Sequence, residues 1–162
     1  MSRYTVDDYG VMTLPPLDMI DETSVHIIVD LTYLTDAGVD ETSITSFIET
    51  YPEGLDISAA RIFNKRVDVI YLCRDILSGR NSEIEELILQ AADRGICIKY
   101  AKEVIRGRWE EIEPLVLHKS EFAMRYFVDV FTERWDELQT KLREEDSFYY
   151  MIYELICDKL GY

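Results

Sequence analysis

Apolar positions along the chain recur at helical spacing, and whole blocks of them recur as copies. The clearest block is Tyr100-Ala101-Lys102-Glu103-Val104-Ile105-Arg106-Gly107-Arg108-Trp109-Glu110-Glu111-Ile112. Its counterpart Leu72-Cys73-Arg74-Asp75-Ile76-Leu77-Ser78-Gly79-Arg80-Asn81-Ser82-Glu83-Ile84 lies 28 residues earlier, and Tyr126 to Leu138 repeats it 26 residues later. A fourth, fading copy is Ile152-Tyr153-Glu154-Leu155-Ile156. A period in this range, with helical stripes inside it, is the signature of helix pairs that bury a continuous core by touching their neighbours. The expected fold is therefore all-α: a short stack of degenerate helix-pair repeats over residues 58–162. An N-terminal arm and capping helices, residues 1–57, precede it.

Local signals place the breaks. Leu14-Pro15-Pro16-Leu17 forbids a helix interior and predicts an extended arm. Residues 25–34 carry two patterns at once: Val25, Ile27, Val29, Leu31 and Tyr33 alternate like a strand, whereas Ile27, Ile28, Leu31 and Leu34 form a helical stripe. The helical remainder of the chain favours a helix there, capped from Asp21-Glu22-Thr23-Ser24. Asp40 is the expected cap of a helix with Ile44, Phe47, Ile48 and Tyr51 on its apolar side. Ser82 with Glu85 reads as a capping box. Gly79 and Gly107, at equivalent repeat positions, read as left-handed helix ends. Pro114 requires a helix that starts close to it.

Charge changes the picture. Seventeen basic against 32 acidic residues give a net charge of -15, which opposes non-specific binding to nucleic acid and favours a basic partner. The balance is uneven: residues 1–60 sum to -11, residues 61–108 to +3 and residues 109–162 to -7. In the basic middle, Lys99, Lys102 and Arg106 are spaced for one helical face, although Asp93 and Glu103 beside them weaken a nucleic-acid reading. Arg80, Arg108 and Arg134 recur in register, as do Asp75, Glu103 and Asp129. A matched acidic ladder predicts that each arginine folds back on an acid and fixes a helix–helix turn. Trp109 and Trp135, directly after two of these arginines, are expected to anchor one repeat against the next.

The run at 100–114 resembles the tandem Tyr-Ala-Lys-x-Val-Ile-x-Gly-Arg-Trp helical repeat of poorly characterised proteins encoded by tailed bacteriophages. The match is strongest over 98–117, fair over 122–138, and absent from the first sixty residues; Asn81 replaces the tryptophan in the first copy. The resemblance implies a phage-encoded protein acting in the cytoplasm of an infected bacterium, and it supplies no catalytic residues.

Catalytic chemistry has little footing. His26 and His118 are the only histidines, and there is no His-x-x-x-His, Cys-x-x-Cys or nucleotide-binding glycine loop. No cofactor or metal is expected. Cys73, Cys97 and Cys157 lack the spacing of a disulfide framework, which fits a reducing, cytoplasmic setting. No signal peptide or membrane span is apparent. The functional expectation is a non-catalytic module that binds a protein with a basic surface, as a phage-encoded inhibitor sterically blocking a host defence or nucleic-acid-handling protein. Acidic side chains on a rigid helical surface would then imitate DNA phosphates. The candidate contacts are Asp21, Glu22, Asp36, Asp40, Glu41, Glu110, Glu111, Glu113, Asp136, Glu137, Glu144, Glu145 and Asp146. An enzyme or nucleotide-binding module, with a pocket around a histidine, is the alternative. A self-assembling structural protein, and hence a homo-oligomer, is the third reading.

Overall fold

The structure is a computed structural model that describes residues 25–162 and, before them, only the backbone pairing of two short strands, β1 (Thr5–Val6) and β2 (Met12–Thr13). The expected arm and the Asp21–Ser24 cap therefore lie outside the described side chains.

The ambiguous segment 25–34 splits in two. Residues Ile27–Val29 form β3, paired antiparallel with β4 (Leu55–Ile57) so that Val29 faces Leu55 and Ile27 faces Ile57. Helix α1 (Leu31–Asp36) starts only after Asp30, whose carboxylate accepts the Tyr33 N–H at 2.9 Å. A single helix over 25–34 is thus corrected: period-two alternation prevails up to Val29 because β4 supplies a partner edge. Gly54 suits the turn into β4, with φ +80° and a Cβ there crowding Val29 O and Ile28 Cγ2 at 3.2 Å. Asp40 caps α2 (Glu41–Thr50) as expected, and Ser58 caps α3 (Ala59–Phe63).

Everything beyond is helical and repeats. Copy one is α4 (Val69–Tyr71), prolonged by a π-helical stretch, Leu72–Ile76, and then α5 (Ser82–Ala91). Copy two is α6 (Arg94–Tyr100) with its π-helical end, Ala101–Ile105, a 3-10 turn, Glu110–Ile112, and α7 (Glu113–Leu117). Copy three is α8 (Ser120–Asp129) and α9 (Asp136–Glu145), and the remnant fourth copy is α10 (Ser147–Leu160). The first helices pack in series, α4 on α6, α6 on α8 and α8 on α10. Buried side chains from Val29 to Cys157 form one core. The fold is all-α apart from the two small strand pairs.

Two local expectations are revised. The cap of α5 is Asn81, which accepts the Ile84 N–H at 3.1 Å, rather than Ser82. Its neighbour Glu85 is occupied by Arg80, through two bonds of 2.8 Å. The left-handed residues at the helix ends are Ser78 (φ 58°) and Arg106 (φ 59°), one position before the glycines. The π-helical ends carry the turn one residue wider, so that Gly79 and Gly107 donate to carbonyls six residues back, those of Cys73 and Ala101. Pro114 sits in the first turn of α7, where its missing N–H costs nothing.

What joins one copy to the next is a column of aromatic rings. Leu72, Tyr100, Tyr126 and Tyr153 hold the same repeat position, and all are buried. The Tyr126 hydroxyl accepts the buried backbone N–H of Trp109 at 2.6 Å. One copy later, Tyr153 accepts that of Trp135 at 2.8 Å and donates to the Trp135 carbonyl. Tyr100 accepts more loosely from Asn81 N, at 3.3 Å. Each tryptophan ring also packs on the tyrosine of its own copy, at 5.2 Å for Tyr100–Trp109 and 5.7 Å for Tyr126–Trp135. Both indoles are therefore core anchors.

Candidate protein-binding face

The second helix of copy three shows how an acidic face is built. In α9 the residues Leu138, Gln139 and Leu142 are buried, which fixes the rotation of the helix. Asp136, Glu137, Thr140, Lys141, Glu144 and Glu145, spaced by one and four, are then turned away from the core. These six side chains line a shallow, open stretch of surface. Four carboxylates share it with one ammonium, and that ammonium, Lys141, is paired with Glu145. Asp136 meets only Arg134, at 3.6 Å.

Helix electrostatics explain half of this charge. Asp136 and Glu137 lie in the first turn, where carboxylates complement the positive end of the helix dipole; Glu110 and Glu111 do the same one copy earlier. Glu144 and Glu145 lie at the opposite end, where the dipole disfavours them. That penalty is offset, because Glu145 forms an i, i+4 pair with Lys141 and both glutamates directly precede the N-terminus of α10.

Of the thirteen acids singled out by sequence, the structure brings these four together. Asp36, Glu41, Glu110 and Glu111 are exposed on other elements. Three others have structural work. Asp40 accepts from Ser43 N and Oγ, which holds its carboxyl below the usual carboxylate range. Asp146 caps α10 through Tyr149 N. Glu113 clasps Arg108, with one bond of 2.9 Å. Asp21 and Glu22 lie outside the described residues. Thr140 and Lys141 complete the face and went unnoticed in the sequence, although the one-and-four spacing with Asp136 and Glu144 was there to show them.

The arginine register resolves into intramolecular clasps, with a different acid from the expected one. Arg80, Arg108 and Arg134 each reach five residues forward, to Glu85, Glu113 and Gln139. Gln139 stands in for the acid because its amide passes on to Glu154 of the last copy, at 2.6 Å. Asp75, Glu103 and Asp129 belong to a second ladder: Arg74 binds Asp75 and Glu103 of the next copy, and Lys102 binds Asp129 of the copy after. Arg108 also lies 5.1 Å over the Phe131 ring. The expected continuous basic face is absent, since Arg106 has left the helix in a left-handed conformation and Lys102 is paired. Arg94 is tied to the Leu115 carbonyl.

The histidines stand apart. His26 Nδ1 lies 2.9 Å from Asp56 Oδ1 across the β3–β4 pair, and Arg61 reaches the same carboxylate at 3.4 Å. The pair is partly exposed at the surface. His118 is exposed at the end of α7. All three cysteines are buried, and burial pushes the Cys73 and Cys97 thiols up to about 12. Among the described residues, no group of three or more His, Cys, Asp or Glu side chains is arranged to hold a metal ion, and no helix is long and apolar enough to cross a membrane.

Comparisons with known protein families, with curated proteins and with solved structures find no match for this chain.

Proposed function

We propose that the chain is a non-catalytic protein-binding module whose α9 face engages a basic surface. The observation that carries this reading is the quartet Asp136, Glu137, Glu144 and Glu145 along one exposed face of α9, with a single lysine among them. Carboxylates spaced along a rigid helix meet lysines and arginines that otherwise meet phosphates, so the partner class is a protein that handles nucleic acid. Binding would block it sterically, with the -15 net charge steering the encounter. The resemblance of the 98–117 segment to phage-encoded repeats supports a partner within an infected bacterium.

The test is affinity capture from bacterial lysate with the tagged chain and with its Asp136→Asn, Glu137→Gln, Glu144→Gln, Glu145→Gln variant. A basic, stoichiometric partner that the native chain retains, and that the variant loses, is the expected result. Retention of the same partner by both proteins, unchanged as salt rises, would refute the assignment.

A further inference from the structure

We draw no further inference here: the strongest candidate, the row of exposed cations Arg74, Lys99, Lys102, Arg106 and Arg125 along the first helices of copies one to three, carries nothing because Arg74, Lys102 and Arg125 are taken up by Asp75, Glu103 and Asp129 and nothing in the structure shows what the other two would meet.

Discussion

Tyr126 and Tyr153 act at the residue scale as connectors between copies, because each closes a buried backbone N–H that has no other partner in reach. Replacing either with phenylalanine keeps the ring and orphans the N–H of Trp109 or Trp135. The expected loss is about 1–3 kcal/mol per site by denaturant unfolding, and less for Tyr100→Phe, where the bond to Asn81 is longer. The phenols also set an alkaline limit. Burial raises both from the usual 10.0 to about 12. Ionisation is therefore favoured in the unfolded chain first, so their contribution is complete below pH 10 and is lost as pH rises through about 12. Phenolate absorbance should show these two protons leaving late, together with unfolding. The repeat register makes the tyrosines visible in the sequence. Their role is not visible there, because donor and acceptor are 17 and 18 residues apart and only stacking brings them together.

Helix ends were the least legible elements, and each miss has a physical source. Gly79 and Gly107 carry the usual mark of a left-handed cap, but the π-helical turns before them shift that conformation onto Ser78 and Arg106. A Cβ at Gly107 meets nothing within 4 Å. Gly107→Ala is thus expected to be neutral or to stabilise by up to about 1 kcal/mol through the unfolded chain, which thermal unfolding will read. The β3 segment deceived for another reason: its helical and strand patterns coexist, and the deciding partner, β4, lies beyond the whole of α1 and α2. The acidic end of α9 makes the opposite kind of prediction. Glu144→Gln removes an exposed charge placed between the C-terminal end of α9 and the N-terminal end of α10, whose dipoles act on it in opposite senses, so stability should change by less than about 0.5 kcal/mol in thermal unfolding. In the proposed function it should weaken partner binding. Unchanged partner binding would remove Glu144 from the proposed face.

At the scale of the whole molecule, the all-α stack and its order of helices could be read from the repeat, and so could the burial of both tryptophans. The binding face could not. Thirteen acids were candidates, and only the rotation of α9, set by Leu138, Gln139 and Leu142, shows which of them converge. Charge alone gave no means of separating Asp40 and Asp146, which cap helices, from carboxylates left to meet a partner. The central claim is that the α9 face is where the partner sits. The most direct measurement is hydrogen exchange of the chain, alone and in complex with the partner it captures. Slowed exchange along residues 136–145 is the result the account requires. Exchange left unchanged there, with slowing confined to the surface around His26 and Asp56, would contradict it and shift attention to the histidine-bearing side.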